Sequence, residues 1–135
     1  MNVLISACLL GCNCKYDGGN NNSPILKELI KNHNIIMVCP EMLGGLPCPR
    51  IPCEIQGNRV IGKDGHDYTS FYQKGAKKAL EIAKSHQVQV AFLKKNSPSC
   101  GLNFVYDGSF TRTLVPGSGI FTQLLKENDI LIFEL

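Results

Sequence analysis

The chain alternates short, unbroken apolar runs with longer stretches of helical periodicity. Asn2–Ala7, Ile35–Val38, Val88–Leu93 and Ile130–Phe133 are runs of four to six residues dominated by aliphatic side chains. Runs of this kind read as strands covered on both faces. Three amphipathic segments lie between or beside them. Ser23 is placed to cap the first, with Pro24 at its first helical position and Ile25, Leu26, Leu29 and Ile30 as its apolar stripe. The second, Tyr68–Ser85, puts Tyr72, Ala76, Ala79, Leu80 and Ala83 on one face and Lys74, Lys77, Lys78 and Lys84 elsewhere, with Asp67 as its cap. The third follows Ser118, taken as the cap, with Ile120, Phe121, Leu124 and Leu125 apolar.

Two hairpins complete the expected elements. Glu54–Ile61 folds around Gly57-Asn58, a pair that tolerates positive φ. Phe104-Val105 pairs with Thr113-Leu114-Val115 across a turn at Asp107-Gly108. Cys8–Ser23 reads as a loop rich in Gly, Asn and Cys. Cys39–Cys53 carries four prolines and two adjacent glycines, so no regular element is expected there, and it is too long to be idle. Helices alternating with short buried strands predict an α/β fold: a single Rossmann-like domain over residues 1–135 with a mainly parallel short sheet. Helices cover both faces, and long cysteine-bearing loops leave the strand ends.

Composition then narrows the class. A chain of 135 residues with 44% hydrophobic content buries about two-thirds of its unfolded surface and needs no disulfide framework. The net charge is only +3, and the lysines are dispersed apart from Lys77-Lys78 and Lys94-Lys95, so no nucleic-acid partner is expected. No apolar run is long enough to span a bilayer, and no membrane partner is expected. The seven cysteines are odd in number and cannot all pair. Ile5-Ser6-Ala7-Cys8 has the outline of a bacterial lipidation box but lacks the basic start and apolar stretch, and reads instead as the end of a strand. The expected setting is a reducing cytoplasm, where clustered cysteines bind metal or react rather than form bridges.

The chemistry concentrates in three segments: Ser6-Ala7-Cys8-Leu9-Leu10-Gly11, Val38-Cys39-Pro40-Glu41 and Ser97-Pro98-Ser99-Cys100-Gly101. Each lies just beyond a predicted strand, and open α/β folds place ligands at the carboxyl ends of their strands. Soft thiolates select zinc, Cu(I) or iron–sulfur clusters, and three of them leave one metal position open. A zinc ribbon needs two Cys-x-x-Cys knuckles, which are absent, and Cys12-Asn13-Cys14 is spaced too tightly for one. Glu41 and Ser97 sit in the same loops, where a carboxylate can activate water and a hydroxyl can relay a proton. Each has a plainer reading as well, Glu41 capping a turn and Ser97 starting one.

These three segments, together with Lys15-Tyr16-Asp17-Gly18 and Gly45-Leu46-Pro47-Cys48-Pro49-Arg50, resemble the DUF523 family, which includes the bacterial thiouracil desulfurases. The resemblance runs over nearly the whole chain. It implies a [4Fe-4S] cluster held by Cys8, Cys39 and Cys100, with a fourth iron free of protein ligands. It implies Glu41 and Ser97 as the acid–base pair, and a small thiolated pyrimidine as the partner. The implied reaction is non-redox: water replaces the thiocarbonyl sulfur, which leaves as hydrogen sulfide.

Cys12, Cys14, Cys48 and Cys53 are surplus thiols in the loops that would form the pocket. Cys48 and Cys53 are candidates for a fourth ligand that would close the site, or else ordinary small buried residues. That ambiguity keeps a second function open, a non-catalytic cluster- or metal-binding module for sulfur handling or sensing. Asp17 is a candidate substrate contact or a turn former. Arg50 is a candidate anchor for a substrate carbonyl, or a partner for a loop carbonyl or Glu41. The isolated His33, His66 and His86 are assigned no metal role.

Overall fold

The computed structural model describes residues 1–135. In chain order the elements are β1 (Asn2–Ser6), α1 (Pro24–Leu29), β2 (Asn34–Val38), α2 (Pro40–Leu43), β3 (Cys53–Gln56), β4 (Arg59–Gly62), α3 (Thr69–Ser85), β5 (Val90–Leu93), β6 (Phe104–Tyr106), β7 (Leu114–Pro116), α4 (Ile120–Glu127) and β8 (Leu131–Glu134). The four apolar runs form one parallel sheet in the order β2-β1-β5-β8. The two hairpins form separate antiparallel pairs, β3 with β4 and β6 with β7.

Alternation along β1 divides the interior. Val3 and Ile5 pack with Leu9, Leu26 and Ile30 under α1. Leu4 points the other way, into the larger core with Ala76, Ala79 and Ala83 of α3 and Phe121 and Leu125 of α4. Helices therefore lie on both faces, as the patterning predicts. The alanine stripe seats α3 in this core, where its backbone packs most closely on α2 and α4.

Local chemistry sets several boundaries differently from the sequence reading. Ser23 caps α1 as expected, accepting a hydrogen bond from the Leu26 N–H at 3.2 Å. Of that helix's apolar stripe, however, only Leu26 and Ile30 are buried; Ile25 and Leu29 are 74% and 64% exposed. Six residues make under two turns and present only a narrow face to the sheet. Ser118 does not cap α4. Gly119 holds that position, and the Ser118 hydroxyl donates instead to the Leu102 carbonyl. The segment Cys39–Cys53 is not irregular throughout, since it opens with the single helical turn α2. Pro40 at its first position pre-sets φ, and the missing N–H costs nothing there.

Candidate functional site

Three parallel strands end at one edge, and their register is nearly level: Ser6 lies opposite Val38, and Ile5 opposite Phe92. The residues that follow these ends build a cavity of about 490 Å³ lined by Cys8, Cys14, Cys39, Cys100, Glu41, Arg50, Ser97 and Ser99, among others.

Each thiol is placed by its own backbone device. Cys8 rides on a 3-10 turn, Ala7–Leu10, that continues β1 and is closed by Gly11 at φ 90°. That left-handed conformation is cheap only for glycine. Cys39 is the extended residue before α2, at φ −127° and ψ 99°. Cys100 ends a turn whose N–H groups converge on Ser97: its Oγ accepts from the Cys100 N–H at 2.8 Å and the Ser99 N–H at 3.2 Å. The Cys100 carbonyl is tied to the buried Thr122 hydroxyl at 2.9 Å. α2 is in turn fixed by a close backbone contact with α3. A Cβ on Gly75 would lie 1.7 Å from the Pro40 carbonyl oxygen, and one on Gly44 would lie 2.0 Å from that of Phe71.

Glu41 and Arg50 form an ion pair inside the wall, with side chains 15% and 4% exposed. Arg50 Nη2 binds Glu41 Oε2 and also the Cys14 carbonyl oxygen at 2.8 Å, while Nη1 reaches the Pro47 carbonyl at 3.3 Å. Arg50 thus takes up the loop carbonyls and Glu41 together. The other Glu41 oxygen, Oε1, accepts from the Ser99 hydroxyl at 3.2 Å. Ser97, the expected partner in acid–base work, lines the cavity, but its oxygen accepts from the turn; its hydroxyl hydrogen stays available. Asp17 is not part of the lining. It is exposed, closes a turn through the Gly19 N–H at 2.9 Å, and lies 3.8 Å from Lys15 Nζ. An Asp-Gly-Gly sequence favours that local bond over a reach into the pocket.

The surplus cysteines separate by position. Cys12 is exposed. Cys48 Sγ faces the Asn13 and Lys15 carbonyls at 3.1 Å each, away from the lining. Cys53 lines the cavity, and burial pushes its thiol up. Cys14 is the buried one: it is 3% exposed, lines the cavity, and its carbonyl oxygen lies 3.8 Å from the Cys39 thiol. The neighbouring Cys14 side chain holds the Cys8 thiol down from 9.0 to about 6 and lowers Cys39 as well. Cys100 goes the other way, raised by burial.

Positive charge surrounds the mouth. Lys15, Lys63, Lys94, Lys95 and Arg112 line it against Glu54 and the inner Glu41. Burial and the neighbouring Lys95 lower Lys94. A basic rim stabilises anionic sulfur within. The loop between β6 and β7 roofs the site with Phe110 and Arg112 at φ 59° and 60°. Glu54 holds that roof, Oε1 accepting from the Gly108 and Phe110 N–H groups at 3.0 and 3.1 Å.

No three His, Cys, Asp or Glu side chains converge closely enough to hold a single metal ion. This disfavours mononuclear zinc. It does not count against a cluster, in which each thiolate binds its own iron and the sulfurs stay apart. Three soft donors around a cavity, with cations at its rim, fit such a group.

These features define a parallel α/β protein with a thiol-lined ligand pocket at its strand ends. The chain belongs to the 2-thiouracil desulfurase family, which it matches over residues 3–134. It is 38% identical to the uncharacterized protein YbbK of Bacillus subtilis strain 168, across 93% of this chain and 89% of YbbK. It is also 38% identical to a solved structure of the [4Fe-4S]-dependent thiouracil desulfidase TudS, with a TM-score of 0.92 over 98% of this chain and 89% of that one.

Proposed function

We propose that this protein is an iron–sulfur-dependent desulfidase that hydrolyses a small thiocarbonyl compound of the 2-thiouracil type. One oxygen enters from water, and sulfur leaves as hydrogen sulfide. The observation that carries the reading is the convergence of Cys8, Cys39 and Cys100 from three parallel strand ends on one cavity beside Glu41.

Cys8, Cys39 and Cys100 would hold a [4Fe-4S] cluster. When bound, that group supplies a Lewis acid with one iron open to the substrate sulfur. Glu41 takes a proton from the attacking water. Arg50 fixes Glu41 through Oε2 and the Ser99 hydroxyl fixes it through Oε1, so the carboxylate is oriented before the substrate arrives. Ser97 keeps a free hydroxyl hydrogen at the cavity wall and passes a proton to or from the ring. Phe110, from the loop between β6 and β7, supplies an apolar face to the cavity lining.

The test is anaerobic reconstitution, followed by iron and sulfide analysis and by assay of sulfide release from 2-thiouracil. The expected result is a cluster that depends on all three cysteines and releases sulfide with uracil formed in equal amount. A reconstituted protein that binds no iron overturns the reading. One that binds iron but releases no sulfide from any thiocarbonyl favours the non-catalytic module.

A further inference from the structure

The loop between β6 and β7 divides its side chains by alternation. Asp107, Ser109, Thr111 and Thr113 are exposed and bond one another. Asp107 Oδ1 accepts from the Ser109 N–H at 2.9 Å and from its hydroxyl at 2.5 Å. The Ser109 hydroxyl meets that of Thr111 at 2.5 Å, and Thr111 meets Thr113 at 2.9 Å. The residues between them, Phe110 and Arg112, line the cavity. Both stand in the left-handed region, at φ 59° and 60°. A bulky side chain takes that conformation only where the surrounding structure imposes it, and such strain gathers at ligand sites.

The imposition comes from β3. Glu54 Oε1 accepts from the N–H groups of Gly108 and of Phe110 itself, at 3.0 and 3.1 Å. Gln56 Nε2 donates to the Gly108 carbonyl at 2.8 Å. Gly108, at φ 93°, lies so near this strand that a Cβ would come within 2.9 Å of the Ile55 carbonyl oxygen. The loop is thus braced outside by its own hydroxyls and clamped from β3 by one carboxylate. What this bracing presents to the cavity is the one phenylalanine of its lining. A phenyl ring carries no polar atom and selects by shape and π-face, so it favours a flat conjugated ring laid against it.

We propose that Phe110 is a specificity-determining residue on which a flat, conjugated thiocarbonyl ring stacks, and that Glu54 is the positioning residue that latches the loop to present it. This rests on the reading that the cavity takes a compound of the 2-thiouracil type. A saturated ring bearing the same thiocarbonyl gains nothing from that platform.

The experiment uses the anaerobically reconstituted holoenzyme. Dissociation constants of uracil and dihydrouracil, its saturated and puckered counterpart, are measured by isothermal titration calorimetry. KM and kcat for sulfide release from 2-thiouracil are measured beside them. Wild type should bind uracil about ten-fold or more tightly than dihydrouracil. Phe110→Leu should close that gap by weakening uracil alone, and should raise KM while leaving kcat near wild type. Phe110→Tyr, which keeps the ring, should restore both. Glu54→Ala should raise KM as Phe110→Leu does, and Glu54→Gln, whose Oε1 still accepts, should return it toward wild type. The chain contains no tryptophan, so Phe110→Trp adds a single reporter, whose emission should be quenched by uracil and not by dihydrouracil. That quenching decides the matter if Phe110→Leu fails to fold. Equal binding of the two rings by wild type overturns the inference, as does a gap that persists in Phe110→Leu or a reporter that ignores uracil. A wild-type KM in Glu54→Ala overturns the latch. A wild type that discriminates the two rings yet releases no sulfide overturns the functional reading and leaves the stacking site standing.

Discussion

Arg50 Nη2 bridges the Glu41 carboxylate and the Cys14 carbonyl from a position with its side chain 4% exposed. One guanidinium thus ties the proposed base to the loop carrying a site thiol, and its planar fork suits that double task. Arg50→Met removes the charge and leaves Glu41 without its partner inside the wall. Breaking one side of such a pair costs about 3–5 kcal/mol. Urea unfolding under reducing conditions is expected to show that loss, and a change below about 1 kcal/mol would refute the tie.

Glu41→Gln keeps the shape and still offers an oxygen to Arg50 or Ser99, but it cannot take a proton at neutral pH. General-base loss of this kind lowers turnover by about 10²- to 10⁴-fold. Iron content should stay at the wild-type level. Steady-state sulfide release and iron analysis on the same preparation check both halves.

Gly75→Ala tests whether helix packing positions the site. The added methyl would meet the Pro40 carbonyl oxygen, and neither partner is a flexible side chain. Overpacking costs about 1–3 kcal/mol or more. α2 must move away, taking Cys39 and Glu41 with it. Lower stability together with reduced iron loading is expected from unfolding curves and metal analysis. Full loading would mean that α2 is held by other contacts.

Stability should depend on pH through Cys8. Its thiol is lowered from 9.0 to about 6, chiefly by the neighbouring Cys14 side chain. Between those values the unfolded chain holds a proton that the folded chain has released, so stability rises with pH across that window. The contribution is complete above about pH 9 and is lost as pH falls through about 6. Cys14 works oppositely, because its thiol is raised, chiefly by the neighbouring Cys39 side chain, and its contribution is lost at high pH. Urea midpoints of the reduced, iron-free protein should climb from pH 6 to pH 9 and then fall. Cys8→Ala should flatten the climb.

The sheet was legible because burial on both faces leaves unbroken apolar runs, and the strand ends follow from them. Cys8, Cys39 and Cys100 were found that way, and Glu41 by its place beside Cys39. What sequence could not show arises from contacts across loops. Ser99 looks like a neighbour of Ser97 in a Ser-Pro-Ser turn, and only folding shows which hydroxyl meets Glu41. Cys14 follows no strand, so no periodic signal marks it; its position depends on Arg50, 36 residues away. The α2 turn was missed because four prolines argue against helix in general, whereas Pro40 occupies the one helical position where proline is welcome.

The level register of β1, β2 and β5 also fixes when the pocket can exist. Cys100 emerges from synthesis late, after about three-quarters of the chain, and β5 gains its outer neighbour only when the final residues pair as β8. A nascent chain therefore offers Cys8 and Cys39 well before Cys100 completes the trio. Because β8 is the outer neighbour of β5, a truncation that removes β8 should cost metal loading without touching a single ligand.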